Sequence, residues 1–371
     1  MKHVKNLVVG CGLSGAVIAE RIASELNEDV LIIDAKDHIG GNIYDYKDQN
    51  GITVHKYGSH IFHTNLENVW RYLCRFTDFN TYMHRVIAVI DGIETHIPFN
   101  IKTLYDVFPQ SMAQRLEEKL LKKFEYNKKV PILEFQKQDD NDLKFLANYV
   151  YEKVFLHYTT KQWGMKPSDV DGAVTARVPV FIGCDDRYFQ DKYQAIPAEG
   201  YTKMAERMLD NPLIRTELNT DFNDVRGSTD YERLFYTGPI DEFFDFELGE
   251  LPYRSLDIVF RRHDRAFYQS GPQINYPENY DFTRSVEYKY YLDEQTAQTI
   301  VSEEYPQAYE AGRNERYYPV PDAKNHELYR RYRRKADGLE KVYFAGRLGD
   351  YKYYNMDEAV KRALELFEEI R

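Results

Sequence analysis

A chain of 371 residues, 43% of them hydrophobic, can bury a sizeable core and is long enough for two or three domains or lobes. Its formal charge of −11, from 49 Lys+Arg against 60 Asp+Glu, argues against nucleic acid or an anionic membrane as the main partner; an anionic small substrate needs only a local gathering of arginines. Cys11, Cys74 and Cys184 are too few and too scattered for a disulfide framework or a metal cluster, which suits a reducing cytoplasm, and no run approaches the ~18 apolar residues that span a bilayer.

The first apolar run, Leu7-Val8-Val9, leads into GCGLSG at Gly10 to Gly15 and then an Ala/Val/Ile-rich stretch to Leu26 that reads as a helix. Lys2 and Lys5 imitate the start of a secretion signal, but Glu20-Arg21 arrive without a small-residue cleavage site, so the segment reads as structure. On a strand-to-helix turn, Gly10 permits the tight bend, Gly12 lets the backbone approach a pyrophosphate, and Gly15 lets helix and strand pack closely. Leu13 and Ser14 fall in the helix's first turn, where free N–H groups and the positive dipole end attract phosphate. A second apolar run, Val30 to Ile33, ends in Asp34, positioned for a ribose 2′-OH. The chain therefore opens as a dinucleotide-binding βαβ unit. Gly40-Gly41-Asn42 follow where a flavin-binding chain brings a second backbone loop to its cofactor.

His55, His60 and His63 invite a metal reading, yet they lie on a predicted loop and short strand without companion cysteines or a helical HExxH, and no metal is expected. Asn68 to Phe76 has helical spacing; Val86 to Ile90 and Glu94 to Ile97 flank Asp91-Gly92 as a hairpin. From Ile101 to about Tyr158 the pattern is helical, with Met112 to Phe124 its best amphipathic stretch and Tyr126 to Asp142 a solvated loop. Trp163, in HYTTKQWGMKP, sits at a predicted helix end, where a buried anchor and a binding-loop residue are both plausible. Arg177 lies in the apolar run ARVPVF and needs an anionic partner if buried. A helix is expected from Thr202 to Leu209, and a strand at Leu234 to Tyr236 returning to the first sheet. Tyr253 to Lys289 alternates as antiparallel strands and contains Arg284. Val342 to Ala345, Gly346-Arg347 and the helix Asp357 to Ile370 complete the nucleotide-binding fold. The 32 tyrosines, clustered at Tyr288 to Tyr291, Tyr317-Tyr318 and Tyr351 to Tyr354, would suit a sugar nucleotide, with rings for stacking and hydroxyls for phosphate.

The strings HIGGN, HKYGSHIFHTN, YTTKQWG, RVPV, DRYF, GYTK, YTGPID, FTRSVE, YYPV and GRLGDYKYYNMD occur in an order that resembles the bacterial UDP-galactopyranose mutase family from end to end. The resemblance implies an α/β fold, with a FAD-binding Rossmann-like βαβ domain (1–75, 205–245 and 340–371). A helical lobe (100–165) and an antiparallel β-sheet lobe (76–99, 166–204 and 246–339) would be inserted into it. It implies a cytoplasmic isomerase that interconverts UDP-galactopyranose and UDP-galactofuranose without net redox, by a covalent adduct of the sugar on N5 of reduced FAD, supplying a furanose donor for cell-surface polysaccharide. Cofactor contacts would come from Gly10, Gly12, Leu13, Ser14, Gly15, Asp34, Gly41, Asn42, Gly58, His60, Gly346, Arg347 and Met356. Arg177 and Arg284 would clamp the diphosphate, Arg177 on a mobile loop, with His60 and Trp163 beside the chemistry. Tyr188, Tyr318 and Tyr353 would bond phosphate oxygens, Tyr158 would stack on uracil beside Thr159, Asn275 would read the base edge, and His84 and Arg347 would also face substrate. The family further implies a homodimer and an external reductant such as NAD(P)H, with no nucleic acid and no membrane insertion.

Departures from the family's pattern bear on the substrate. His84 stands where several members have asparagine, Glu199 replaces the first glycine of a Gly-Gly pair, Asn355 stands where aspartate is frequent, and Val154 replaces an aromatic found in some members. They keep open another nucleotide hexose, such as dTDP-fucose or UDP-GalNAc. The rivals of other classes are an amine-oxidase-like FAD oxidoreductase and a non-catalytic flavin-binding protein; net oxidation or its absence separates them from a mutase.

Overall fold

Strands that are apolar on both faces need cover on both faces, and the N-terminal run builds such a layer. The computed structural model describes residues 2–166 and 179–371. Lys2–Val9 and Val30–Ile33 lie parallel, Leu7 beside Leu31 and Val9 beside Ile33, with all four of these residues buried. They are the centre of a five-stranded sheet ordered Ile214–Glu217, Val30–Ile33, Lys2–Val9, Thr229–Tyr236, Val342–Phe344, in which each neighbouring pair is parallel. Three helices cover it. Leu13–Arg21 is buried along its whole length, Tyr201–Leu209 buries Tyr201, Met204, Ala205 and Met208, and Met356–Ile370 buries Val360, Ala363, Leu366 and Phe367 as a single stripe. The chain divides into two units, and this sheet belongs to the first, Met1–Tyr82 with Asp191–Tyr253 and Lys324–Arg371.

Within that unit the segment Gly200 to Thr202 is pinned by a side chain far away in sequence. The carboxylate of Asp45 accepts the backbone N–H of Tyr201 at 2.6 Å and of Thr202 at 2.9 Å, while the Thr202 hydroxyl donates to the Asp45 carbonyl at 2.7 Å. Asp45 thereby satisfies N–H groups that the first helical turn leaves orphaned. A Cβ at position 200 would stand 2.7 Å from the same carboxylate, which is why glycine precedes the helix.

The second unit, Met83–Gln190 with Arg254–Ala323, holds a seven-stranded sheet in the order Tyr318–Pro319, Tyr253–His263, Thr299–Ala308, Arg284–Glu287, Gln273–Asn275, Val86–Ile90, Ile93–Ile97. The hairpin expected around Asp91-Gly92 forms, with both turn residues at positive φ as a two-residue turn demands. From Tyr253–His263 to Ile93–Ile97 the neighbouring strands are antiparallel except where Gln273–Asn275 meets Val86–Ile90 in parallel. Helices Ile101–Val107, Gln110–Lys123 and Asn141–Val150 supply Leu104, Leu116, Leu120, Leu143 and Leu146 to a core shared with Val86, Ala88 and Ile90.

Two expectations fail, and three elements were not anticipated. The segment 126–142 is no solvated loop: Lys128–Pro131 pairs antiparallel with Pro179–Ile182, and Val130, Ile132 and Phe135 are buried. Their spacing was hidden by the exposed lysines between which they sit. The strand alternation stops at Glu287, and Lys289–Leu292 turns helical. Thr299–Ala308, Ile214–Glu217 and the helix Ala323–Ala336 carry no sequence signal strong enough to compete with their polar residues, and tertiary pairing forms them.

Asp45→Ala is expected to lower stability to urea by about 1–2 kcal/mol, the cost of a lost helix cap, with Asp45→Asn retaining part of it; equilibrium unfolding followed by circular dichroism measures the difference.

Candidate active site

Three backbone passages meet at the turn that follows the first strand. Gly10 adopts φ +97°, and a Cβ there would fall 2.1 Å from the hydroxyl of Thr237, which itself donates to the Val9 carbonyl at 2.8 Å. Gly12 caps the helix Leu13–Arg21, with Leu13 and Ser14 in its first turn. A Cβ at Gly15 would lie 1.9 Å from the carbonyl oxygen of Gly10, so helix and turn touch through bare backbone. The second passage, Gly40–Gly41, bridges to Gly12, and Gly40 donates its N–H to the Cys11 carbonyl at 2.8 Å. A Cβ at Gly41 would come within 2.8 Å of the Gly12 Cα, and Asn42 follows, half-buried. The third passage brings Gly346 against Ser14, whose Oγ would be 3.4 Å from an added Cβ.

Asp34 fixes the first of these passages. One carboxylate oxygen accepts the Cys11 N–H at 2.7 Å and the other the Lys36 N–H at 2.9 Å. Each oxygen keeps a lone pair for a hydroxyl donor, so the position suits a ribose while also fixing the turn. The donor set, a glycine cradle in which Gly10, Gly15 and Gly41 have no room for a Cβ, beside a helix N-terminus and a carboxylate, fits a dinucleotide.

The three histidines are held by hydrogen bonds and an ion pair within the first unit. His60 donates from Nδ1 to the Gly58 carbonyl at 2.8 Å, and its backbone N–H donates to Nδ1 of His55 at 3.1 Å. His55 must therefore be neutral with its proton on Nε2, and burial pushes its pKa down to about 3. His63 pairs with Asp191 at 2.9 Å. Among the described residues no group of His, Cys, Asp or Glu is arranged to hold a metal. Arg347 lies over the Tyr353 ring at 5.4 Å and donates to the Tyr354 carbonyl at 2.8 Å; Met356 begins the last helix, half-buried against the first unit's core.

In the second unit the sheet sets Asn275, Arg284 and Glu304 side by side on three adjacent strands. Arg284 donates from Nε to Glu304 at 2.7 Å, and its side chain keeps 21% exposure against 2% for Glu304. Burial favours a neutral guanidinium, but Glu304 and the surrounding hydroxyls reverse this and hold Arg284 firmly charged. Tyr158 feels Arg284, Tyr188, Glu304 and Tyr318, and burial keeps its phenol protonated well above the usual range. Tyr158, the buried Thr159 and the buried Trp163 share the helix His157–Trp163; the Trp163 ring lies 6.0 Å from that of Tyr318. Tyr188 donates its N–H to the His84 carbonyl at 2.8 Å, and the His84 ring is enclosed by Tyr188, Phe189 and Tyr291. The Asn275 amide oxygen accepts from Gln273 at 2.8 Å. The arrangement offers a fixed cation, hydroxyl donors and flat aromatic faces, the components for a diphosphate and a base. Arg347 and Tyr353 belong to the first unit, and Arg177 lies outside the described residues.

Sequence reasoning did not single out Glu304, Thr237, Gln273 and Asp45 as positioning residues. Thr237 lies within the YTGPID string and Gln273 is two residues from its partner Asn275 on one strand, whereas Glu304 and Asp45 act on partners from distant segments. The departures have plain structural places. Glu199 pairs with Arg207 on the neighbouring helix, Val154 is core, and Asn355 caps Met356–Ile370 in a box with Glu358, a role asparagine fills as well as aspartate.

Residues 153–353 match the family model described as UDP-galactopyranose mutase, and residues 8–76 match a NAD(P)-binding Rossmann-like domain. The "Probable UDP-galactopyranose mutase" of Klebsiella pneumoniae is 35% identical over 373 residues, covering 100% of this chain and 95% of that protein. The dTDP-fucopyranose mutase of Escherichia coli is 34% identical over 369 residues, covering 97% of each. A crystal structure of reduced UDP-galactopyranose mutase shares the fold, with a TM-score of 0.73 at 14% identity over 99% of this chain and 93% of that one.

Two outcomes follow from this geometry. Gly15→Ala should cost about 1–3 kcal/mol by overpacking and yield protein without bound dinucleotide, visible as lost cofactor absorbance after gel filtration. Between pH 6.5 and about 3 an unfolded histidine binds a proton that buried His55 refuses, so stability falls as pH drops through this window. The slope is up to about 1.4 kcal/mol per pH unit, and His55→Asn should flatten it in urea unfolding at neutral and mildly acid pH.

Proposed function

The chain belongs to the UDP-galactopyranose mutase family, and on that premise we propose that it interconverts UDP-galactopyranose and UDP-galactofuranose with FAD that must be reduced. It is an enzyme of the mutase class, with no net oxidation. The observation that carries the substrate reading is the charged Arg284, held by Glu304 among Tyr158, Tyr188 and Tyr318 in a protein of net charge −11.

When bound, the reduced flavin supplies through its N5 the nucleophile that the protein's side chains lack. The chain's own residues bind and orient. Glu304 engages Nε of Arg284, so the two Nη groups are left to address a diphosphate; in a desolvated place this charge-assisted contact stabilises the UDP that departs and returns. The phenols of Tyr158, Tyr188 and Tyr318 donate to phosphate oxygens or pack on the base, and Asn275 presents N–H donors to a pyrimidine carbonyl. Trp163, with Tyr318 against it, borders the sugar, and Thr159 backs the same helix face. Arg177 supplies the second arm of the clamp, a role supported by its place in the matching RVPV string. In the first unit Gly12, Leu13, Ser14 and Gly41 receive the pyrophosphate, Asp34 the ribose, and Gly58, His60, Gly346, Arg347 and Met356 the flavin side, with Tyr353 beside Arg347 toward substrate. His60 keeps its ring oriented through Gly58. We further propose a cytoplasmic homodimer reduced by an external donor such as NAD(P)H.

Anaerobic incubation of dithionite-reduced protein with UDP-galactofuranose should yield the pyranose by chromatography, with the oxidised protein inactive. Arg284→Ala should lower kcat/KM by about 2–5 kcal/mol, the cost of losing a desolvated charge-assisted contact. The near-equal identity of the dTDP-fucopyranose mutase makes dTDP-fucose the second substrate in the panel. Faster turnover of it would replace the sugar and base named here, and flavin-dependent oxidation of an amine or alcohol in place of isomerisation would remove the mutase reading.

A further inference from the structure

The helix that carries Tyr158, Thr159 and Trp163 also carries a lysine with an unusual set of partners. Nζ of Lys161 donates to four backbone carbonyls of one loop: Tyr276 at 2.6 Å, Glu278 at 3.0 Å, Tyr280 at 3.0 Å and Phe282 at 3.1 Å. An ammonium has three N–H donors. The fourth oxygen is therefore held by charge, as it would be by a spherical cation. Four carbonyl dipoles pointing at one another repel unless positive charge sits between them, and rings of carbonyls are how proteins replace the hydration shell of a monovalent ion.

The loop is built for that purpose. Tyr276 donates its N–H to the Thr283 carbonyl at 2.8 Å and closes the loop at its base. The rings of Tyr276, Tyr280 and Phe282 gather into one aromatic cluster, with Tyr276 4.9 Å from Tyr280 and 4.6 Å from Phe282. The Glu278 carboxylate is committed elsewhere, to Lys153 at 2.8 Å and to the Asp91 N–H. The positive charge of Lys161 is thus met by carbonyl dipoles, with the charge of Asp281 as the acidic contribution; burial pushes its pKa down to about 8.

The loop's two ends are the strands bearing Asn275 and Arg284, which face each other in the ladder. At the other end of the contact, Arg254 donates to the Gln162 and Lys161 carbonyls at 3.0 and 3.1 Å and fixes the end of the same helix. We propose that Lys161 is a built-in monovalent cation: its ammonium fills a carbonyl cage formed by residues 276–282. It thereby sets the spacing between the helix bearing Tyr158, Thr159 and Trp163 and the strand ends bearing Asn275 and Arg284. Lys161 is a positioning residue, and its effect on nucleotide binding rests on the function proposed above.

The test is Lys161→Ala, with UDP affinity by calorimetry and thermal melting measured in lithium, potassium, ammonium and methylammonium chloride at matched ionic strength. In lithium the variant should bind UDP about tenfold more weakly than the wild type and melt earlier, as expected for loss of a buried charged partner. Ammonium, methylammonium or potassium should restore both, and the wild type should be indifferent to the salt. Unchanged UDP affinity in lithium would overturn the positioning role, since a purely structural lysine alters melting alone. A loss that none of these cations restores would overturn the cage. Should the variant fail to fold in every salt, reductive methylation of the wild-type protein decides: Lys161 unmodified while exposed lysines react supports the cage, and modification at their rate removes it. If the wild type itself does not bind UDP, the nucleotide-sugar reading falls, and the melting curves alone decide on the cage.

Discussion

The close approach of bare backbone at Gly12 is the constraint on which the first unit depends. Strand, helix and the Gly40–Gly41 loop can meet only because Gly15 and Gly41 lack a Cβ; the distances of 1.9 and 2.8 Å that an added methyl group would have to backbone atoms leave no room for adjustment. Gly346 arrives at the same point from the C-terminal segment. The carboxylate of Asp34 then takes the place that a side-chain contact would normally fill, by accepting N–H groups from two sides. A surface made of N–H groups and a helix N-terminus is complementary to phosphate, so the packing requirement and the binding property are one feature.

The second unit is organised by a different problem, the placement of cations in a tyrosine-rich interior. Arg284 is held by Glu304, Arg254 by the carbonyls that end a helix, and Lys161 by the carbonyls of a loop. Removing charge from water is costly, and each of these residues recovers the loss through fixed dipoles or a partner charge. The result is rigidity at the places where side chains are to meet a ligand. The same helix that is stapled by Lys161 and Arg254 presents Tyr158, Thr159 and Trp163, and the same strand that pairs with Glu304 presents Arg284.

Chemistry carried by a bound group fits this division of work. His55 and His60 are engaged in internal hydrogen bonds, with His55 kept neutral by burial. What the chain supplies is orientation and electrostatic complementarity, both of which depend on residues being held still.

The sequence by itself determined the parts whose physics is local. GCGLSG between an apolar run and an Ala/Val/Ile-rich stretch specifies a strand-to-helix turn; Val30 to Ile33 ending at Asp34 specifies the second strand; Asp91-Gly92 specifies a hairpin. Spacing and backbone requirements are enough there, and the family's motif strings extended the reading to Arg284, Tyr158 and Trp163. The tertiary structure decided everything that depends on pairing between distant segments. Lys128–Pro131 is a strand because Pro179–Ile182 covers it, and Thr299–Ala308 is a strand because it lies between two others. Glu304, Thr237, Asp45 and Lys161 act on partners that the chain brings from far away, and a polar residue in a strand, turn or helix looks the same in sequence whether it faces water or a buried cation, hydroxyl or carbonyl cage.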